Sequence, residues 1–272
     1  MSGEEEIRVA LKVAYDGTNY FGFQRQPGRV TVEGALVTAL DKVGAISSPR
    51  ECGYRSSSRT DRGVSALGNV ISFRTSFPLR SICSAINSEL DDIWAYSIAR
   101  VPDDFNPRAA RQRWYRYYLP KGGQDLTIMK DLAERFIGIH DFSSYATKAD
   151  RNPMRKIDSI DISDEGLFHA LDFRAESFLW NMIRRIVWVM NEGSTGRLDL
   201  ASIGPEAKKK LIRIGLSPPE YLLLMDVDCG VEFELDERAR IRIKRMAERM
   251  MKSHSMNLIF SEHVRDLSLR GL

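Results

Sequence analysis

An apolar stretch at residues 178–190 constrains the fold most strongly. Its side chains are apolar around most of the circumference of a helix, which is the pattern of a helix buried between two layers. Arg184 and Arg185 interrupt the pattern, and because neighbouring helical residues point about 100° apart, at most one of them can face a given site. A buried arginine needs a partner, either a structural carboxylate or an acid in a cleft. The sequence therefore predicts a layered protein with a charge in its interior.

The rest of the chain carries strand and helix patterns without a strict β-α-β order. Residues 7–13 alternate apolar and polar side chains, as a half-buried strand does. Thr31 is a candidate cap for a helix at 31–43, and Pro78 a candidate first residue of a helix at 78–90. Further strands are predicted at 69–73, 93–101, 115–119, 156–163, 168–174, 221–227 and 231–235, and further helices at 128–137, 200–214 and 236–252. We expect an α+β fold with mostly antiparallel strands.

Residues 102–113, with two prolines and clustered arginines, are interpreted as a linker between two halves. A chain of 272 residues fits one large domain or two smaller ones. We therefore predict an N-terminal α+β half at residues 1–107 and a C-terminal α+β half at 108–272, with a cleft between them.

Composition excludes several classes of protein. Forty basic and thirty-seven acidic residues leave a net charge of +3, so a nucleic-acid partner would have to bind a local patch. Three scattered cysteines without a CxxC pair argue against a disulfide framework, and no Cys/His spacing suits zinc, so we expect no metal. The acidic start is unlike a leader peptide, and no apolar run approaches the roughly 18 residues that span a bilayer. We expect a cytoplasmic protein.

A Ser- and Gly-rich loop carries the first candidate for chemistry. Asp61 lies close to Arg59 and Arg62, whose positive charges favour the ionised carboxylate. Alone, this pattern is weak evidence, and a turn aspartate with a surface ion pair is the more common explanation of it.

Residues 103–118 interleave arginines with aromatic residues, which suits RNA because guanidinium groups bind phosphates and rings stack on bases. We expect Arg108 and Arg116 to contact RNA. The alternative is a strand in which Tyr115 and Tyr117 share a core face and Arg116 lies on the other face.

Together these segments resemble the tRNA pseudouridine synthase A family over nearly the whole chain. The matching stretches are YDGTNYFGFQRQ at 15–26, RTDRGVSA at 59–66, DDF at 103–105, YRY at 115–117, DFSS at 141–144 and SFLWNMIR at 177–184.

The resemblance implies a cofactor-free isomerase that converts uridine in RNA to pseudouridine by breaking the N1–C1′ bond and rejoining the base through C5. Asp61 matches the family's essential aspartate and Arg59 the arginine that precedes it. Tyr115 matches the active-site tyrosine, which either stacks on the base or takes part in removing the C5 proton. Arg184 matches the arginine that pairs with the aspartate, and Leu222 an apolar residue under the flipped base. The carboxylate either adds to C1′ or deprotonates C2′ to give a glycal.

The resemblance also implies the pseudouridine synthase fold, whose two sheets join centrally, and a homodimer that binds tRNA and modifies positions 38–40 of its anticodon arm. Ser58 and Arg62 replace a glycine and a small residue of the family pattern, and we expect Arg62 either to tune Asp61 or to bind a phosphate. Two alternatives stay open: a synthase for another tRNA position or another RNA, and a non-catalytic RNA-binding or chaperone relative.

The predicted helix at 236–252 is highly charged. Such a run is typical of a solvated helix face, and the functional alternative is an element that contacts RNA or a second subunit.

Overall fold

The computed structural model describes residues 6–147, 152–205 and 213–269, and within them the chain forms ten strands and five α-helices. The strands are β1 (Ile7–Tyr15), β2 (Arg55–Ser56), β3 (Ser65–Thr75), β4 (Ile93–Arg100), β5 (Gln112–Pro120), β6 (Gly138–Asp141), β7 (Met154–Glu165), β8 (Phe168–Ala175), β9 (Leu222–Asp228) and β10 (Glu234–Leu235). The helices are α1 (Val32–Lys42), α2 (Leu79–Ser88), α3 (Leu126–Glu134), α4 (Met182–Ser194) and α5 (Glu237–Leu269).

All the described strands belong to one sheet, in the order β10-β4-β1-β3-β9-β5-β8-β7-β6, with β2 paired to β3. The described pairs are antiparallel except for β3 and β9, which run parallel with Ser65 opposite Leu223. The predicted α+β class with mostly antiparallel strands in a central sheet is thereby confirmed. The predicted boundary at residue 107 falls between β4 and β5, and the division into two halves stays a prediction.

The core follows the sequence periodicity closely. In β5, Tyr115, Tyr117 and Leu119 are buried on one face, and the residues between them lie on the other. The helix predicted at 31–43 is α1, and the Thr31 side chain caps it by accepting a hydrogen bond from the Gly34 backbone N–H. Local pattern and capping are sufficient to specify these elements.

The predicted helix at 178–190 is wrong at its start, because α4 begins only at Met182. Asn181 immediately before it has a φ of 64°, in the left-handed region that asparagine tolerates better than most residues. Residues 178–181 are therefore an irregular segment, and their side chains project in directions that a helix would not give them.

The prediction of a helix at 200–214 is also wrong in its described part. Only Leu200–Ser202 form a short 3₁₀ turn, and Gly204 has a φ of 138° and is followed by Pro205, so a helix cannot continue there. Residues 206–212 lie outside the described residues. The predicted strand at 231–235 is reduced to β10, and the predicted C-terminal helix extends beyond residue 252 as α5. In the described parts of the chain, no helix combines the length and the apolar composition needed to cross a bilayer.

Candidate active site

A cleft of about 1270 Å³ brings the separate sequence motifs together. Its walls come mainly from three segments, 21–26, 56–64 and 177–184. Seven of the eight predicted site residues line it: Asp61, Tyr115, Arg184, Arg59, Arg62, Leu222 and Arg108. Among the described residues that line the cleft there are six arginines and one acid, Asp61, so its walls are strongly positive although the whole chain carries only +3.

Buried hydrogen bonds from β1 and β3 fix the loop that carries Asp61. Tyr15 Oη bonds Thr60 Oγ1 at 2.9 Å, and the Asn69 side-chain amide donates to the Ser58 carbonyl at 3.0 Å. Gly63, with a φ of 81°, closes a turn after Asp61. Because these polar groups are satisfied away from solvent, the loop has a defined conformation without substrate.

Two side chains contact the carboxylate of Asp61, one through an ion pair and one through a hydrogen bond. Arg184 Nη1 lies 3.6 Å from Oδ2, and the indole N–H of Trp180 donates to Oδ1 at 2.8 Å. Arg184 is itself buried, and its Nε donates to the Ser217 carbonyl at 2.7 Å. The Asp61 side chain is one quarter exposed, so it remains accessible from the cleft.

Opposing effects act on the charge of Asp61. Burial raises the pKa of its carboxyl above the ordinary value, while the Arg184 charge and the Trp180 hydrogen bond act to lower it. Burial likewise lowers the pKa of Arg184, and the charge of Asp61 opposes that shift. The ion pair therefore maintains two charges that burial alone would disfavour.

Tyr115 and Leu222 form part of the apolar side of the cleft. Tyr115 packs edge-on against Phe178, with ring centroids 5.5 Å apart, and Leu222 is buried at the first position of β9. Burial raises the pKa of Tyr115 to about 12, against the opposing effect of the Arg113 charge. The phenol is thus protonated at neutral pH and can donate a hydrogen bond.

Arg113 is a site residue whose position the sequence reasoning missed. It is buried, and its guanidinium donates to Ser58 Oγ at 3.0 Å and to the Ser57 carbonyl at 2.9 Å, so a residue of β5 holds the Asp61 loop. A signal was available, because Arg113 shares the alternating core face of β5 with Tyr115 and Tyr117.

The remaining predicted arginines occupy three different settings. Arg59 and Arg108 are exposed on the cleft wall, and Arg62 stacks over the Phe21 ring at 4.3 Å from its centroid. Arg116 does not line the cleft: it lies on the opposite face of β5 from Tyr115 and pairs there with Asp172 at 2.7 Å.

Residues 132–228 match the family model described as tRNA pseudouridine synthase. The chain is 41% identical to the tRNA pseudouridine synthase A of Thermococcus sibiricus, over 94% of this chain and 98% of that protein. It is 40% identical to that of Pyrococcus abyssi (92% and 95% covered) and 39% identical to that of Methanothermobacter thermautotrophicus (96% and 97%). A solved Cbf5-Nop10-Gar1 complex is only weakly similar, with a TM-score of 0.36 and 11% identity over 67% of this chain and 44% of that one.

The comparisons thus define the chain as a pseudouridine synthase, which is an isomerase. This chain belongs to the tRNA pseudouridine synthase A family.

Proposed function

We propose that this protein converts uridine to pseudouridine at positions 38–40 of the tRNA anticodon arm, with Asp61 as the group that attacks the ribose. The observation that carries the proposal is the pairing of Asp61 with the buried Arg184 at 3.6 Å, in a cleft large enough for an extruded nucleotide. The family membership supports tRNA as the substrate, and the position within tRNA rests on the resemblance of the motifs.

The proposed chemistry needs an ionised carboxylate. In one route Asp61 bonds to C1′ as the N1–C1′ bond breaks, the uracil turns, and C5 displaces the carboxylate from C1′. In the other route Asp61 removes the C2′ proton as the N1–C1′ bond breaks, the uracil turns, and C5 bonds to C1′ while Asp61 returns the proton to C2′. C5 then loses its proton and N1 carries one, so the product is an isomer and nothing is consumed. Arg184 favours the charged form of Asp61 in both routes.

Tyr115 and Leu222 are proposed to hold the detached base. Since the pKa of Tyr115 is about 12, its role is to pack against the uracil and donate a hydrogen bond, not to start the reaction as a phenolate. The apolar side chains of Leu222 and Phe178 limit water around a base that is briefly free.

Exposed cations outside the cleft suit an RNA partner. On α5, Arg238, Arg242, Arg245, Arg249 and Lys252 recur every three or four residues, all exposed, which makes a stripe about 21 Å long. Within the described part of the chain none of the five pairs with a carboxylate. Positive charges in a row repel one another, and a row of phosphates would neutralise them. We therefore favour RNA contact over a solvated face for this helix. We keep Arg59, Arg62 and Arg108 as phosphate contacts at the cleft.

The experiment is tritium release from tRNA labelled at uridine C5, without added metal or nucleotide. We expect release by the wild-type protein and by Asp131→Asn, which changes an exposed acid on α3, and none above background by Asp61→Asn. Equal release by Asp61→Asn and wild type would refute the assignment of Asp61. Mapping pseudouridine in the product tests the position, because pseudouridine outside 38–40 would favour the alternative substrates. The proposed homodimer is tested by sedimentation equilibrium of the free protein.

A further inference from the structure

We propose that Trp180 is a positioning residue for this isomerisation, and that its indole N–H fixes one oxygen of Asp61 while the other faces the substrate and Arg184. The inference rests on the proposed function of the cleft. The geometry that carries it is the 2.8 Å hydrogen bond from Trp180 Nε1 to Asp61 Oδ1, with Arg184 Nη1 at 3.6 Å from Oδ2.

The exposure of Trp180 indicates that packing does not explain its place. The side chain is 52% exposed, although a ring of this size is ordinarily largely buried. Its polar tip reaches the candidate catalytic acid while much of its ring surface remains in solvent at the cleft. The contact to Asp61 is thus the specific interaction of this side chain.

A strained and well-anchored segment holds Trp180 in this place. Asn181, at a φ of 64°, donates from its side-chain amide to Thr147 Oγ1 at 2.6 Å and accepts from Arg184 Nη1 at 3.1 Å. The Trp180 carbonyl in turn accepts from the Thr147 backbone N–H at 3.1 Å. Positive φ at a residue other than glycine costs energy and persists where the surroundings fix it, which is common at functional sites. The anchored segment therefore presents the Trp180 indole, and α4 directly after it presents the Arg184 charge, to one carboxylate.

An indole is chemically suited to this task. It donates a hydrogen bond but carries no charge and, at ordinary pH, no proton to give up. It therefore orients the carboxylate and stabilises its ionised form without neutralising the negative charge that attacks the sugar. A second arginine at this position would orient the acid equally well but would weaken it as a nucleophile or base.

The test compares two substitutions that delete the same kind of contact. Trp180→Phe keeps an aromatic ring and removes the N–H. Trp114→Phe is the matched control, because the Trp114 indole donates to Asp172 on the other face of the sheet. We expect Trp180→Phe to lower kcat for tritium release about tenfold, as expected for loss of a hydrogen bond to a charged group, with KM changed less than about twofold. The acid limb of its pH profile should move to higher pH, since Asp61 loses a donor that lowers its pKa. Trp114→Phe should resemble wild type.

A second measurement tests the role of Trp180 without an activity assay. In protein labelled with ¹³C at aspartate carboxyl carbons, the Asp61 signal should titrate at higher pH in Trp180→Phe than in wild type, and unchanged in Trp114→Phe. An unchanged titration of Asp61 in Trp180→Phe would overturn the inference, as would a loss confined to KM, which would make Trp180 an RNA-stacking residue only. Failure of the proposed function has a different signature: the wild-type protein itself releases no tritium.

Discussion

Replacing Arg184 by glutamine tests the central electrostatic idea about the site. Glutamine keeps a polar, though shorter, side chain on α4 and removes the positive charge 3.6 Å from Asp61. If Arg184 acts by keeping Asp61 ionised, the substitution raises the pKa of Asp61 further above its ordinary value, because burial is then opposed mainly by Trp180.

The size of the effect follows from the distance. Two unit charges 3.6 Å apart attract by about 4–5 kcal/mol at an effective dielectric constant of ~20. A quarter of the Asp61 side chain is exposed, so we take about half of this, ~2 kcal/mol, to account for solvent screening. That corresponds to about a thirtyfold change in the ionisation equilibrium. The ionised fraction, and with it the rate, should fall up to about thirtyfold on the acid side of the profile, and the loss should shrink as the pH rises.

The assay is kcat for tritium release from C5-labelled tRNA across the pH range, with thermal unfolding of each variant. Arg185→Gln is the matched control, since Arg185 is the adjacent arginine on α4 but donates to the Ile214 carbonyl instead of Asp61. Arg184→Lys keeps the charge and should shift the profile less than Arg184→Gln. A loss in Arg184→Gln that is equal at all pH values, or an identical shift in Arg184→Lys, would contradict the electrostatic role and leave a steric one.

Two further predictions concern the loop and the helix. Gly22→Ala should lower the free energy of unfolding by about 1–3 kcal/mol and reduce tritium release strongly, because Gly22 has a φ of 89° and a Cβ there would meet the backbone of the Asp61 loop at 3.0 Å. Gly28→Ala, at a φ of 68° with open space around it, should lower stability alone. On α5, the double variant Arg242→Glu/Arg245→Glu should weaken tRNA binding and flatten the dependence of log affinity on log salt by about two units, whereas Lys244→Glu, about 120° around the helix from the stripe, should change both less. A slope that stays at the wild-type value in the double variant would place the stripe away from RNA.

Local sequence patterns were sufficient for most of the fold. The alternation in β1 and the capped helix α1 depend on neighbouring residues, and the structure confirms both. The sequence also predicted correctly that an arginine buried in this helix would pair with an acid. The helix pattern alone did not say whether Arg184 or Arg185 would pair with the acid, because the choice depends on how α4 packs against a loop more than a hundred residues away in sequence. Only the family resemblance pointed to Arg184.

The errors have a physical cause in backbone conformation. The apolar spacing at 178–181 is compatible with a helix, and nothing in the periodicity marks Asn181 as left-handed. The periodicity therefore gave no indication that Trp180, which lies before the start of α4, donates a hydrogen bond to Asp61. For Arg116, the sequence pattern predicted the face of the sheet but not the partner. The alternation of β5 already implied that it and Tyr115 lie on opposite faces, and the sequence alone did not indicate that Asp172 would be its partner.

The positive walls of the cleft oppose the effect that an RNA substrate has on the ionisation of Asp61, the proposed catalytic acid. Each phosphate that approaches Asp61 adds negative charge nearby, and like charge raises the pKa of a carboxyl, as burial already does. A site with Asp61 and no cations would therefore favour the ionised form less once the substrate had arrived. Six arginines among the described residues of the walls offset the phosphate charge, and the buried ones, Arg113 and Arg184, are screened little by salt. Under the proposed function, the same charges that attract the polyanion also favour the ionised form of Asp61 in its presence, whereas further acids around Asp61 would disfavour it.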